Sequence, residues 1–459
     1  MMNRRYRRNR LLALVLLVSL AGSLLLTGCG SSGEIGGYRI PFLSDLIGQM
    51  AEVDDDSGKD QTSDPDGRAD KDSKDQAGSD EGNDSDGKKT SKKKKRKDYG
   101  LADPEGYLYL KLEKEEKTVY DQILKACFAF GDEVRLDTRD EDLIEKIYYY
   151  VIADHPDIFW TEGYKISKMS LAGQIISISF VPKFSMSKEE AADWKKTINS
   201  KVKKIFKKQK AAGIPTSSGS DQDHNSKDKI TDYDRIKYAF DYIVLHTDYE
   251  AGAEHNQNIC SVFGKGKSVC QGYSAALQYL LQRQGIQAVT VNGEIRENGS
   301  SHAWNYVKAD GKWYQLDVTW GDPAFSEGTS TSTIPKNLVV YTHFCVTDEE
   351  INKTHKLNSI FSMPKCKAVT DNYYVHEGQY FKEKNDTRVA KAIKKSLSAK
   401  RTWVSLRYAD KKLYKSELKR LIKQQKIFNI MREAGVNSRV NSITYIDNTQ
   451  SLTLVIMWK

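Results

Sequence analysis

The sequence predicts an α+β protein, and three observations support this class. Apolar residues recur at helical spacing in several segments, for example between Glu113 and Phe130. Other runs alternate apolar and polar residues, and Asp310-Gly311 joins two of them as a two-residue hairpin loop. The length of 459 residues exceeds one domain of roughly 150 residues, so we expect two or three folded parts. The arrangement we expect is a central segment flanked by two smaller α/β segments.

Composition excludes several functional classes. Lys and Arg number 71 against 62 Asp and Glu, which gives a net charge of +9, and five arginines between Arg4 and Arg10 contribute to it. We expect the N-terminal segment that carries these arginines to be removed, which leaves a net charge of +4 on the rest of the chain. A charge of that size is too small to favour a nucleic-acid partner. With 39% hydrophobic residues, the chain is too polar for a multi-span membrane protein, and 10% aromatic residues exclude wholesale disorder. Six cysteines do not make a disulfide scaffold.

The N-terminus has the pattern of a secretory signal. A basic stretch to Arg10 precedes an apolar run from Leu11 to Leu26. The following Leu26-Thr27-Gly28-Cys29 resembles the bacterial lipobox, which implies that residues 1–28 are removed and that Cys29 is lipidated as the mature N-terminus. An uncleaved anchor with an incidental cysteine is the alternative. Either way, we expect the protein at the extracytoplasmic face of the membrane, with membrane lipid as a partner through Cys29.

Residues 29–99 are expected to form a charged, disordered tether. Asp, Ser, Gly, Lys and Gln dominate from Asp54 to Asp86, and a strongly basic run ends at Lys97. This composition offers too little apolar surface to offset the entropy of ordering the chain.

Two flanking segments carry no cluster of catalytic residue types. Residues 100–228 are predicted as an N-terminal α/β domain plus linker, and residues 369–459 as a C-terminal α/β domain. The predicted N-terminal elements are helices over 113–130 and 143–152, a strand over 175–181, and a helix from a capping box at Ser187 to about Lys208. The predicted C-terminal elements are helices over 388–398 and 411–433, a strand over 403–408, and a hairpin over 442–446 and 451–458.

The central segment, residues 229–368, contains the candidate chemistry. A capped helix is predicted from Thr231 to His246, and a second from Cys270 to Gln284. Strands are predicted over 288–295, 302–309 and 312–320.

Cys270 lies where a loop becomes a helix. The free N–H groups and partial positive charge of a helix N-terminus favour a thiolate there and could bind an oxyanion. Gly272 is expected to leave the first turn open for substrate. A lone cysteine at a helix start is more often simply packed, so this position alone does not establish a reactive residue.

The hairpin places a base and a carboxylate together. With a two-residue loop, Ala309 opposes Lys312, and the same register puts His302, Trp304 and Asp317 on one face. His302 and Asp317 are then diagonal neighbours, which brings an imidazole–carboxylate hydrogen bond within reach.

Three short blocks together resemble the transglutaminase-like superfamily. They are Val269–Tyr273, His302–Asn305 and Leu316–Trp320, in the family's order of Cys, His and Asp. The resemblance covers less than a third of the chain and implies the papain-like thiol fold, in which a helix carrying Cys packs on an antiparallel sheet carrying His and Asp. It assigns Cys270 as nucleophile, His302 as base and acid, and Asp317 as the residue that orients His302.

The resemblance also suggests further cleft residues. Gly272, Tyr273, Trp304 and Trp320 are expected to shape the cleft, and Trp304 and Trp320 its floor. The second oxyanion donor is not fixed by the blocks, and Gln257 and Asn258 are the two candidates. His343 and His355 are expected to pack beneath the core. Cys127, Cys260, Cys345 and Cys366 are expected to be small buried residues.

Two functions fit this sequence. One is cysteine acyl chemistry on peptide or side-chain amides, either hydrolysis or amide crosslinking, with a peptide, protein or cell-wall peptide as substrate. The other is a catalytically silent surface module that binds peptide or glycan in the same groove. The overall arrangement is also similar to that of Gram-positive lipoproteins that carry this domain. No cofactor and no metal are expected, because Cys270 and His302 lack further ligands at zinc-like spacing.

Overall fold

The computed structural model describes residues 34–35, 38–39, 51–53, 99–131, 133–217, 230–323 and 334–459. The predicted signal peptide and Cys29 lie outside the described residues, as does almost all of the predicted tether. Within the described part of the chain, no helix is long and apolar enough to cross a membrane.

Twelve α-helices lie in the described part of the chain. They are α1 Tyr107–Leu110, α2 Lys114–Ala129, α3 Glu141–Asp154, α4 Lys188–Ala211, α5 Asp232–His246, α6 Ile259–Phe263, α7 Cys270–Gln282, α8 Asp348–Ile351, α9 Tyr373–His376, α10 Asp386–Ser398, α11 Lys411–Leu418 and α12 Lys426–Glu433.

The strands pair mostly antiparallel and form three four-stranded sheets and two short two-stranded ones. They are β1 Glu34–Ile35, β2 Tyr38–Arg39, β3 Ala51–Val53, β4 Val134–Arg135, β5 Thr161–Leu171, β6 Gln174–Phe184, β7 Asp248–Tyr249, β8 Lys267–Ser268, β9 Ala288–Ile295, β10 Ser301–Ala309, β11 Lys312–Leu316, β12 His355–Leu357, β13 Tyr380–Phe381, β14 Trp403–Tyr408, β15 Ile443–Asn448 and β16 Thr453–Trp458. The predicted α+β class is confirmed.

The N-terminal segment contributes β4, β5 and β6 to the sheet β3-β5-β6-β4, and β3 comes from the region predicted as the tether. Helix α4 begins as predicted, because the Ser187 side chain accepts from the Glu190 N–H and the Glu190 side chain accepts from the Ser187 N–H. The sequence did not predict β5, which is the hairpin partner of β6. The alternating residues Tyr164 and Ile166 of β5 are buried. Hydrophobic residues of this segment share one continuous core with the central segment.

The central segment places α7 against the sheet β11-β10-β9-β12. Ala309 pairs with Lys312 and Asn305 with Leu316, so the predicted hairpin register is confirmed. The third strand is shorter than predicted and ends at Leu316, because Asp317 turns the chain. One oxygen of its carboxylate accepts from the backbone N–H groups of Thr319 and Trp320, and a 3₁₀ turn over Thr319–Gly321 follows.

The C-terminal segment contains the sheet β13-β14-β16-β15 and has a second hydrophobic core of its own. Its strand over Trp403–Tyr408 lies where the sequence predicts it. The prediction of a single helix over 411–433 is wrong. It is divided into α11 and α12 by a π-helical turn over Lys419–Lys423 and by Gln425, whose φ of 58° is left-handed.

Candidate active site

Cys270 is the first residue of α7 and is half-buried. The first N–H groups of a helix have no partner within the helix, so they point toward the space in front of the thiol. The loop over 256–258 lies against this first turn. A Cβ at Gly272 would lie 2.8 Å from the Asn256 carbonyl oxygen and 2.0 Å from Ser268 Oγ.

This packing changes the role of Gly272. The sequence predicts that it leaves space for substrate, but that space is occupied by the loop and by Ser268. Glycine is required because the backbone of the loop approaches the helix too closely for any side chain. Gly272 therefore positions Cys270 by allowing tight packing behind it.

His302 and Asp317 form the predicted contact. His302 Nε2 lies 2.9 Å from Asp317 Oδ2, and both residues are buried. Cys270 is close enough to His302 to help raise the pKa of its imidazole. Because Nε2 is directed at the carboxylate, Nδ1 is the nitrogen available to the thiol. The predicted order of contacts, Cys270 to His302 to Asp317, is present in the structure.

The electrostatics of the pair favour a charged imidazole. Burial alone would lower the pKa of His302, but the negative charge and hydrogen bond of Asp317, together with Cys270, raise it well above its usual value. Burial would raise the pKa of Asp317, but His302 and the hydrogen bonds it receives depress it. The carboxylate therefore stays ionised and supports an imidazolium at His302.

Sequence reasoning missed a second histidine on the same carboxylate. His355 Nε2 lies 3.1 Å from Asp317 Oδ2, and His355 is completely buried. The short strand β12 carries His355 and pairs with β9, where His355 opposes Ile295. His355 does pack beneath the core, as expected, but it also contacts the candidate triad. The sequence contains no signal for this, because β12 is three residues long and distant in the chain.

The tryptophans of the blocks differ in position. Trp320 is half-buried, and its ring centroid lies 6.0 Å from that of His302 and 4.7 Å from that of His355. Trp304 is only 1% exposed, and its indole N–H donates to Gln315. Trp304 therefore lies inside the core behind the imidazoles and does not form the cleft floor, contrary to the prediction.

Tyr273 is also absent from the cleft surface. Its side chain is completely buried, and its hydroxyl donates toward the Thr247 carbonyl and Asp322. It is on the first turn of α7 but points away from the position of the thiol. Its role is to attach the helix to the segments that carry β7 and the 3₁₀ turn.

The two oxyanion candidates occupy the loop next to Cys270. Gln257 is exposed there. Asn258 is the N-cap of α6, and its side-chain oxygen accepts from the Cys260 N–H at 2.9 Å. The cap restrains the Asn258 amide through its oxygen, whereas the exposed Gln257 side chain is not restrained in this way.

Tyr249 is a further neighbour of Cys270, and it was not among the predicted site residues. It lies in β7 and is half-buried. Burial raises the pKa of its phenol, and the negative charges of Cys270 and Asp317 raise it further. Tyr249 is thus a neutral hydroxyl close to the candidate nucleophile.

Three potential metal ligands meet in the described part of the chain. The ligand atoms of His302, Asp317 and His355 lie within 4.8 Å of one another. Both imidazole nitrogens already form hydrogen bonds to the same carboxylate oxygen, and the cluster is buried. An ion there would have to replace both hydrogen bonds, including the one that orients His302.

The other described cysteines differ from Cys270. Cys127, Cys260, Cys345 and Cys366 are buried and free. Burial raises the pKa of each of these thiols. They behave as the small buried residues that the sequence predicts, and the half-buried Cys270 is the accessible thiol of the described residues.

Comparison with known proteins agrees with the site. The profile of the transglutaminase-like superfamily matches residues 222–318, which include all three residues of the candidate triad. The chain is 24% identical over 167 residues to human Kyphoscoliosis peptidase and 25% identical to the mouse protein. Each alignment covers 33% of this chain and 25% of the relative, so the match spans about a quarter of these relatives' length.

Among solved structures, the chain is similar to one of a TGase, with 15% identity and a TM-score of 0.23 over 38% of this chain and 49% of that one. The sequence blocks, the helix-on-sheet geometry and the family match agree on one assignment: the chain has a transglutaminase-like domain with the papain-like α+β fold.

Proposed function

We propose that this protein is an extracytoplasmic, membrane-anchored thiol acyl enzyme that acts on peptide or side-chain amides. The observation that carries the proposal is the placement of Cys270, at the N-terminus of α7, beside the hydrogen-bonded pair His302–Asp317. A module that only binds peptide or glycan needs neither the charged imidazole nor the half-buried thiol beside it.

The proposed chemistry begins with the thiolate–imidazolium pair. Asp317 holds His302 with Nε2–H toward the carboxylate, so that Nδ1 exchanges a proton with the Cys270 sulfur. The thiolate attacks the amide carbonyl carbon and forms a C–S bond. The developing oxyanion is stabilised by the Cys270 backbone N–H and by Gln257 as the second donor.

Collapse of this intermediate breaks the C–N bond. His302 gives its Nδ1 proton to the departing amine, and a thioester on Cys270 remains. His302 then removes a proton from the acceptor, which attacks the thioester carbonyl carbon, and the C–S bond breaks to release the Cys270 thiolate. Water as acceptor yields an acid and completes hydrolysis, whereas a primary amine yields a new amide and completes a crosslink. The same residues serve both outcomes, so the acceptor decides the reaction.

The decisive experiment follows the fate of the acyl group. The full chain is incubated with an amide-containing peptide library, with and without a small fluorescent primary amine, and products are identified by mass spectrometry. We expect acid products, amine adducts or both with wild type, and neither with Cys270→Ala. Cys260→Ala is the matched control, because Cys260 is buried close to the same helix and should leave turnover unchanged.

Absence of turnover together with unreactive Cys270 would favour the binding module. Reactivity is measured by alkylation with iodoacetamide and peptide mapping. If Cys270 and the buried Cys260 were alkylated at the same slow rate in the folded protein, the acyl-enzyme proposal would be wrong.

The anchoring part of the proposal rests on the lipobox-like Leu26–Cys29 and on the basic and apolar stretches before it. Metabolic labelling with a lipid precursor should label wild type and not Cys29→Ala. Equal labelling of the two proteins would contradict lipidation at this residue.

A further inference from the structure

The carboxylate of Asp317 has every acceptor direction occupied. Oδ1 accepts from the backbone N–H groups of Thr319 at 3.0 Å and Trp320 at 3.2 Å. Oδ2 accepts from His302 Nε2 at 2.9 Å and His355 Nε2 at 3.1 Å. An ionised carboxylate only accepts hydrogen bonds, so both imidazoles must carry a proton on Nε2.

The two histidines differ in what their other nitrogen contacts. Nδ1 of His302 is the nitrogen available to the half-buried Cys270. Nδ1 of His355 lies 2.7 Å from the hydroxyl of Thr354, in a completely buried position. A hydroxyl that donates to Nδ1 leaves the proton of a neutral imidazole on Nε2. The same hydroxyl also lies 3.2 Å from the Ile351 carbonyl oxygen and 3.3 Å from His343 Nε2. Its shortest contact is with His355 Nδ1, so it supports, alongside the Asp317 carboxylate, the tautomer that carries the proton on Nε2.

The surroundings of His355 keep it neutral. It is buried between Trp304 and Trp320, with ring centroids at 5.0 and 4.7 Å, and His302 lies 5.3 Å away. Burial and the charge of His302 lower the pKa of His355, although Asp317 acts in the opposite direction. A second cation at the same oxygen would compete for the charge of Asp317. A neutral donor fixes the carboxylate without that competition.

The backbone next to His355 packs closely against β9. A Cβ at Gly293 would lie 2.1 Å from the Lys356 carbonyl oxygen and 2.7 Å from the Trp304 ring. Only glycine at this position of β9 lets β12 approach, and β12 brings His355 to Asp317. The Arg296 guanidinium donates to the carbonyl oxygens of Asn352 and His355 and attaches the strand from the other side.

We propose that His355 is a positioning residue of the acyl-transfer site: its Nε2–H, supported by Thr354 at Nδ1, holds the Asp317 carboxylate in the orientation that keeps His302 paired with Cys270. This proposal rests on the proposed function, because it assigns a role within the same site. His355 does not contact the thiol, so it acts through Asp317.

The test compares two substitutions at position 355 in the full chain. His355→Leu fills the space but removes the donor, whereas His355→Gln retains a side-chain N–H at a similar distance from the backbone. The rate of Cys270 alkylation by iodoacetamide is measured from pH 5 to 9 on folded protein. The titratable groups around the site are His302, Asp317, His343, His355, Cys270 and Tyr249, with the Arg407–Glu350 pair beyond His343.

We expect His355→Leu to slow alkylation about 10- to 100-fold near neutral pH, the range typical of residues that orient a site from behind. His355→Gln should restore most of the rate. A merely structural role would give equal rates for both variants per folded molecule, and that result would overturn the proposal. If His355→Leu does not fold, Thr354→Val provides the test, because it retains His355 and removes only the hydroxyl that supports the tautomer.

Two further outcomes are distinguishable. If His302→Ala leaves the wild-type alkylation rate unchanged, the proposed function itself fails, whatever the variants at 355 do. If Zn²⁺ alone blocks alkylation of wild type but not of His355→Leu, the three ligand atoms form a metal site, and the positioning role is overturned.

Discussion

Asp317 and Asp154 are both completely buried carboxylates, yet their environments produce opposite charge states. Asp317 accepts from two imidazoles and two backbone N–H groups. Asp154 accepts from the Leu108 and Tyr109 N–H groups, each at 2.9 Å, and from the Tyr120 hydroxyl at 3.0 Å. Burial raises the pKa of Asp154 to about 7 despite these three donors. The pKa of Asp317 is depressed.

The difference shows that hydrogen-bond donors alone do not offset desolvation. Both carboxylates are well supplied with N–H or O–H groups, but only Asp317 has a cationic partner in His302. Asp154 attaches the start of the N-terminal segment to α3, and the same region meets the back of α7, where Gln278 and Gln282 donate to the carbonyl oxygens of residues 153 and 154. One aspartate joins the N-terminal segment to α3 and α7, and the other lies in the candidate active site.

The largest expected effect separates the two aspartates by function. Asp317→Ala should slow alkylation of Cys270 near neutral pH by about 10²-fold or more, because His302 loses its orientation and its counter-charge. Asp317→Asn should have a smaller effect, since an amide can still orient the ring without supplying charge. Asp154→Asn should leave the rate per folded molecule unchanged. Identical pH profiles for wild type and Asp317→Ala would remove Asp317 from the site.

The second prediction concerns stability against pH. The raised pKa of Asp154 means that the folded state retains a proton that the unfolded chain loses near pH 4. The unfolding free energy of wild type relative to Asp154→Asn should therefore fall as pH rises from about 4 to about 7, by at most about 4 kcal/mol. Relative to Asp317→Asn, the change between about pH 5 and 6.5 should come only from His302, because burial lowers the pKa of its imidazole once the carboxylate is removed.

Chemical denaturation at pH 4.5, 5.5 and 6.5 measures both differences. A level difference for Asp154→Asn across this range would mean that Asp154 is ionised when folded, and the contrast between the two carboxylates would disappear.

A third, smaller effect tests the packing around Asp154. Gly106 has a φ of 74°, and a Cβ there would lie 2.5 Å from Asp154 Oδ2. Gly106→Ala should lower the unfolding free energy by about 1–3 kcal/mol. Gly213→Ala is a matched control, because Gly213 also has a positive φ of 82° but no atom near its Cβ position, so only backbone strain remains. Equal losses would show that the contact with Asp154 contributes nothing.

The part of the site predictable from sequence is the part set by local geometry. The Asp310-Gly311 loop fixes the hairpin register, and the register brings His302 to Asp317. Strand β9 and strand β14 lie where alternation and flanking residues predict them. The helix start at Cys270 is likewise local, because the chain changes from a loop to a helical apolar pattern at that residue.

The rest depends on contacts distant in the chain. His355 reaches Asp317 across 38 positions through a three-residue strand, which has no periodicity to detect. Trp304 and Tyr273 match the family's blocks, but the blocks do not reveal that both side chains face the interior. The sequence predicts substrate access at Gly272, because the loop over 256–258 that lies against its Cβ position precedes it by more than ten residues.

The smallest effect we predict isolates one donor of Asp154. Tyr120→Phe removes the hydroxyl at 3.0 Å from Asp154 Oδ2 and keeps the ring, so the unfolding free energy should fall by about 1 kcal/mol. The loss should be larger at pH 8 than at pH 5, because a hydrogen bond to an ionised carboxylate is stronger than one to a neutral carboxyl. Tyr150→Phe is the matched control on α3, since its hydroxyl donates to the uncharged carbonyl of Ile360 at 3.1 Å. That loss should not vary with pH. If the two variants respond to pH in the same way, the Tyr120 hydroxyl does not sense the charge of Asp154, and the carboxyl is neutral throughout this range.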